Sequence, residues 1–294
     1  MLGIPGGARN RQPFLWLLWH PHQRIWNRQL TDRVRQAFPM PWVQKPLLLV
    51  IVWIDSLALF LRALWRRARS LGAFSLFTVR QVPQHIKVIY LDVGTHRDGR
   101  ELALMADNFL PSLCAHWEAF AFEANRDSFE TVRRRFSHQP RISIRHLALC
   151  KDIPSCGILR LYTGGDGLAD SLYRKNTKYQ EVHASRLSDF MIENGMMQAN
   201  LAILLRMNIE GAEFDVLLDL VERQLAQRIN GYYGMWDDLS KIDIARDKEF
   251  RSLLKSEGVS PFTFNDRDLK FRWRRFCIKY DMRTQLLRAL DRRV

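Results

Sequence analysis

Two carboxylates, Asp92 and Glu123, each close an apolar run and stand about 30 residues apart, the length of one βαβ unit. A carboxylate in the second position can accept hydrogen bonds from both hydroxyls of a ribose. The first stands beside a turn holding Gly94 and Gly99, where a ligand can approach the backbone and meet the positive end of the following helix. This pattern suits a nucleotide-type cofactor lying across two adjacent parallel strands. A second polar cluster, Asn208, Glu210 and Glu213, follows the apolar run LAILLRM, and Asp237 and Asp238 follow in MWDDL. At the carboxyl end of a central strand, where open α/β sheets bind ligands, such groups can hold a ligand or move a proton. The competing reading is that Glu210 and Glu213 open a helix and complement its dipole.

The elements that position these groups are legible from periodicity. Val88 to Leu91 read as a buried strand, and Leu102, Met105, Ala106 and Phe109 recur at helical spacing after the glycine turn. HWEAFAFE is a second strand, and Asn125 caps a helix whose Phe129, Val132 and Phe136 share one face; Arg133, Arg134 and Arg135 fall largely on the other, as a solvated face. ISIRHLALCKD is a third strand with its exit loop. ILRLYTGGDGLADSLYR is a short strand leaving into a glycine-rich loop that reads as a surface turn. A strand around Val182 carries His183, read as structural, and Ser188 is read as the cap of the next helix. LAILLRM is continuously apolar, as a central parallel strand covered on both faces must be. The end of the chain reads as strand INGYYGMW, a helix over Phe250 to Leu254 stopped by Gly258, and a hairpin from PFTFND to FRWRRFCIKY.

The 294 residues allow one sizeable α/β core plus an appendage. Lys and Arg number 45 against 31 Asp and Glu, a net charge of +14 that favours anionic partners. Nucleic acid is the weaker candidate, because the positive charge gathers beside a hydrophobic segment and in the tail, and no RNA-binding module is recognisable. The cysteines Cys114, Cys150, Cys156 and Cys277 have no metal-ligand spacing and no disulfide pattern. No metal site is expected.

Residues 1–80 are rich in tryptophan and proline and contain KPLLLVIVWIDSLALFLRALWRRAR. Its apolar stretch nearly reaches the ~20 residues that span a bilayer. Asp55 opposes a span, since a carboxylate at mid-bilayer costs about 2.5 to 3.5 kcal/mol on insertion scales. Three readings stay open: a span or deeply inserted helix, a helix lying in the interface, and a helix packed on the catalytic domain or a second subunit. The sequence favours membrane contact through residues 46–66, with the arginine cluster holding the catalytic domain on the cytoplasmic side. No cleaved signal peptide is expected: PFLWLLW is too short, and no small-residue cleavage site follows it.

The blocks DVGTHRDG, AFEAN, HLALCKD, GDGLADSLY and LLRMNIEGAEFDVL, in this order, resemble the FkbM family of S-adenosylmethionine-dependent methyltransferases, most of which methylate oxygen. The resemblance implies an α/β, Rossmann-like class I methyltransferase fold: a mostly parallel seven-stranded sheet ending in a C-terminal antiparallel hairpin, here with an N-terminal helical hydrophobic region. It implies a catalytic domain over residues 81–282, between the N-terminal region at 1–80 and a basic tail at 283–294. S-adenosylmethionine is the implied cofactor, with Asp92, Gly94, Thr95 and Gly99 around its methionine part, Glu123 and Ala124 at the ribose, and Leu149 bordering the adenine. Glu210, Glu213, Asn208 and Asp237 become the candidate catalytic residues, facing a hydroxyl on a small-molecule, glycan or lipid-linked acceptor. The resemblance also implies Asp166, Asp170 and Ser171, in the glycine-rich loop, as candidates for the acceptor wall. Two positions depart from the family pattern. The turn is one residue longer than usual, with Asp98 where the second glycine normally falls, and Asn208 stands in place of the signature aspartate. Asparagine keeps a hydrogen-bonding shape but cannot act as a base. A catalytically silent scaffold and an RNA methyltransferase are the alternative functions.

Overall fold

The computed structural model describes residues 33–34, 36–38, 40–71, 82–163, 172, 178–209, 211–234, 243–259 and 271–292. The chain forms two compact units, Met1–Val79 with Asp266–Cys277, and Arg80–Asn265 with Ile278–Val294. The described part of the first is dominated by α1 (Pro41–Leu71). Among the described residues no helix is long and apolar enough to cross a membrane.

The second unit begins with β1 (Lys87–Val93), α2 (Arg100–Leu104), a π-helical stretch (Met105–Phe109) and α3 (Leu110–Leu113). The π stretch ends just before Pro111, which has no N–H to continue the α-helical ladder. Next come β2 (Trp117–Glu123), α4 (Arg126–Arg135), β3 (Ile142–His146), β4 (Ala148–Leu149), β5 (Ile158–Tyr162), β6 (Tyr179–Ser185) and α5 (Leu187–Glu193). The unit continues with β7 (Leu201–Met207), α6 (Glu213–Glu222), β8 (Ile229–Gly234) and α7 (Ile244–Ser256), and closes with the part of α8 (Phe271–Asp291) from Ile278 onward.

The central sheet is parallel, in the order β3-β2-β1-β7-β8, and a smaller sheet runs β4-β6-β5. All of β7 and all but the first residue of β1 are buried, because helices cover both faces. On one face Ile89, Leu91, Leu205 and Met207 pack with Phe214 and Leu217 of α6. On the other, Val88, Tyr90 and Leu204 pack with Leu102 of α2 and with Met282 and Leu286 of α8. From β1 the chain proceeds to β2 on one side, while β7 pairs on the other; ligands bind at such switch points, beyond the carboxyl ends of the strands.

The Rossmann-like α/β class is as expected, but the end of the chain is not. The central sheet has five strands among the described residues, rather than seven, and FRWRRFCIKY is helical instead of the second arm of a hairpin. PFTFND lies outside the described residues. The aromatic residues of that segment favour a strand when read alone. Ile278, Met282, Leu286 and Leu290, spaced by four and all buried, impose the helix. Arg283 to Asp291 therefore continue α8 and are not a separate tail. Gln285 on α8 meets the outer strand: its amide donates to the Tyr232 carbonyl at 3.0 Å and accepts from the Tyr232 N–H at 2.8 Å. Ser188 is a further correction, since it lies buried inside α5, whose cap position is Arg186.

Candidate functional site

The turn from Gly94 to Gly99 leaves β1 with three residues in the left-handed region: Gly94 at φ 77°, His96 at φ 68° and Gly99 at φ 57°. For His96, a non-glycine residue, that conformation costs energy unless the surroundings fix it. They do so from β2. The N–H of Gly94 and the side chain of Thr95 both donate to the Phe122 carbonyl, at 2.9 and 3.3 Å. The His96 N–H donates to Glu123 Oε2 at 2.9 Å, and the Asn125 N–H donates to Oε1 of the same carboxylate at 2.9 Å. Glu123 thus closes β2, holds the glycine turn and begins α4. Asn125 caps that helix, as expected, with Oδ1 accepting from the N–H groups of Asp127 and Ser128.

From β7 a guanidinium fixes the same turn. Arg206 is 3 % exposed and donates to Asp92 Oδ1 at 3.0 Å, to the Gly94 carbonyl, and to Glu101 on α2. One side chain therefore grips the strand, the turn and the helix of the cofactor motif. Burial would lower the pKa of Arg206, but Glu101 and Asp92 outweigh it and hold the group firmly protonated. Asp92 is fully buried; desolvation raises its pKa to about 6, Arg206 opposing and Glu101 reinforcing the shift. Its Oδ2 has no hydrogen-bond partner among the described residues. Tyr90, beneath it on β1, is pushed well above its ordinary value by burial and by Asp92.

The turn after β7 is locked from within. Glu213 Oε1 accepts from the Ile209 N–H and Oε2 from the Gly211 N–H, both at 2.7 Å, and the residue is buried at the start of α6. Its carboxylate holds the turn, an arrangement akin to a capping box, as the helix-opening reading of Glu213 expects. The Asn208 N–H donates to the Val93 carbonyl at 2.9 Å, which sets its backbone against Gly94. A Cβ added to Gly94 would lie 2.2 Å from the Asn208 oxygen, so the two turns meet in a contact open only to glycine.

Of the expected cofactor residues, the fold brings Asp92, Gly94, Thr95, Gly99, Glu123 and Ala124 to one end of the sheet. Asp92 and Thr95 are too buried to touch a ligand directly, and they act on the turn instead. The Ala124 carbonyl lies 3.1 Å from His146 Nε2, and the His146 ring stacks on Phe129 at 5.0 Å. Leu149 is buried in the main core, and burial raises the thiol of neighbouring Cys150 to about 11. His183 is exposed on β6 and takes no part in the cluster. Glu210, Asp237, Asp238, Asp166, Asp170 and Ser171 lie outside the described residues.

Three participants were not found by sequence reasoning. Arg206 was hidden inside an apolar run, although a single arginine in an otherwise apolar central strand is itself a signal, because a buried charge requires partners. His146 lay in a strand read only for its apolar residues. Arg135, read as part of a solvated face, donates to the Asp98 carbonyl in the turn. Asp98, the residue that lengthens the turn, also pairs with Arg100 at 2.5 Å and lies 3.6 Å from His96 Nδ1.

The methyltransferase FkbM domain matches residues 92–243, just over half of the 294-residue chain and the span that holds the whole cluster. No curated protein matches. A solved structure of methyltransferase FkbM from Methylobacillus flagellatus KT is similar at 12 % identity with a TM-score of 0.30, over 70 % of this chain and 47 % of that one. This chain thus spans about half the length of that protein. The chain belongs to the FkbM methyltransferase family.

Proposed function

We propose that this methyltransferase uses S-adenosylmethionine and methylates a hydroxyl oxygen on a glycan, lipid-linked or secondary-metabolite acceptor. The observation that carries the reading is the Glu123 carboxylate, held by the His96 and Asn125 N–H groups at the carboxyl end of β2, beside the glycine turn of β1. A carboxylate oxygen has two acceptor positions. Each Glu123 oxygen can therefore receive a ribose hydroxyl while keeping its backbone bond. The turn gives a methionine moiety close access to backbone, and Asp92, Arg206 and Glu101 keep that turn in shape from beneath.

The cofactor supplies an electrophilic methyl group on a good leaving group. The chain then has to hold the acceptor oxygen in line and receive its proton, and positioning is the larger contribution. Glu210 and Asp237 are the carboxylates proposed for the acceptor side; a base there contributes about 10²- to 10⁴-fold. Asn208 orients through hydrogen bonds and takes no proton. In this reading the enzyme works in contact with a membrane, with its catalytic domain on the cytoplasmic side and without a spanning helix in the described residues.

Calorimetric titration with S-adenosylmethionine and S-adenosylhomocysteine tests the proposal. Binding by the full chain, weakened at least about tenfold in Glu123→Gln, supports it, since that variant replaces an acceptor with a donor facing an N–H. A folded chain that binds neither compound overturns it in favour of a catalytically silent scaffold.

A further inference from the structure

α1 presents an exposed apolar face. Val50, Trp53, Ile54, Leu57, Leu61 and Trp65 recur at three- and four-residue spacing, and their exposures run from 40 to 55 %. At roughly 100° per residue they fall within an arc of about 120°, the width of the stripe that a helix ordinarily buries. Positions 45, 55, 62 and 66, which are Lys, Asp, Arg and Arg, lie on the opposite half of the helix, with the arginine positions 67 and 69 at its flanks. Five of the six charged residues of α1 are basic.

Hydrocarbon at a lipid surface, a second copy of this chain, or another of its segments would each cover an apolar stripe. Charge selects among them. A second copy brings the same excess of positive charge and nothing to neutralise it. An anionic headgroup layer neutralises the basic positions while the stripe is buried beneath them. Orientation agrees with this choice: with the stripe facing down, position 55 falls on the water side of the helix, away from the acyl layer whose entry cost weighs against a span.

We propose that α1 lies in the plane of a bilayer surface rich in anionic lipid, with its apolar arc in the acyl boundary and its basic positions among the headgroups. This rests on the membrane contact read above and narrows it to one helix, one orientation and one lipid charge. The methyl-transfer reading does not depend on it.

Flotation of the full chain with phosphatidylcholine vesicles, with and without about one third phosphatidylglycerol, tests the proposal. The chain floats with the anionic vesicles and stays behind with the neutral ones. Leu57→Asp combined with Leu61→Asp lowers partitioning about a hundredfold or more, from the apolar area no longer buried. The milder Leu57→Ser lowers it in the same direction, and Arg66→Gln lowers it about fivefold. Circular dichroism of each variant establishes that it is folded. A folded chain that does not float overturns the proposal, as does flotation indifferent to the leucine changes. A dimer in sedimentation that those changes abolish, without vesicle binding, assigns the face to a second copy and also overturns it. Titration with S-adenosylhomocysteine on the same preparations, without vesicles, reports the cofactor reading separately.

Discussion

Arg206 and Asp92 sit side by side on neighbouring parallel strands, 3.0 Å apart and shielded from solvent, and the same guanidinium reaches the Gly94 carbonyl and Glu101. The pair joins β7 to the strand that launches the cofactor turn. Replacing Arg206 with Met leaves two carboxylates near each other without their cation, at a cost of about 3 to 5 kcal/mol in unfolding free energy. Denaturant titration should show this loss. Arg206→Lys keeps the charge but not the fork, and should recover part of the stability while leaving cofactor affinity weakened.

The raised pKa of Asp92 predicts a pH dependence of stability. Its folded value of about 6 lies above the ordinary 3.8, so over that window the native state holds more proton than the unfolded chain. The contribution is fully present below the ordinary value and is lost as pH rises through about 6. Asp92→Asn removes this term. Denaturation at several pH values across that window should give a more positive slope of stability against pH in the variant than in the parent.

Gly94 and Gly99 both have positive φ, yet they should tolerate a methyl group very differently. At Gly94 a Cβ meets the Asn208 backbone at 2.2 Å, whereas at Gly99 its nearest neighbour is the Phe136 ring at 3.0 Å. Gly94→Ala should cost about 3 kcal/mol or more, from strain and overpacking together. Gly99→Ala should cost about 1 kcal/mol, because an aromatic edge can yield slightly. Thermal melts of the two variants would rank them.

Gln285 holds both the N–H and the carbonyl of Tyr232. Gln285→Leu leaves that backbone pair buried without its partners and should cost about 1 to 3 kcal/mol. Gln285→Met, which preserves length and bulk, is the control for lost packing; denaturant midpoints of the two variants should agree.

The parts of this fold that could be read from the sequence obey a single local rule. β1 and β7 are continuous apolar runs, Asn125 precedes a helical pattern, and Gly258 stands just beyond one. Glu123 was found at its position, but its bonds to His96 and Asn125 depend on how two strands align, which no local pattern states. Glu213 illustrates the opposite case. Its charge and place suggested chemistry, while its carboxylate is used within four residues of itself to lock a turn. The C-terminal helix was missed because aromatic residues near its start favour strands, and the apolar period that decides the matter begins only at Ile278.

The contact between Gln285 and Tyr232 also sets an order of events during synthesis. The two residues are 53 apart in sequence, so at about 5 to 20 residues per second the outer edge of β8 waits about 3 to 10 seconds for its cover to be made. During that interval the Tyr232 N–H and carbonyl wait for the Gln285 amide that meets them in the finished fold. A ribosome stalled ahead of Gln285 would hold β8 before this contact can form.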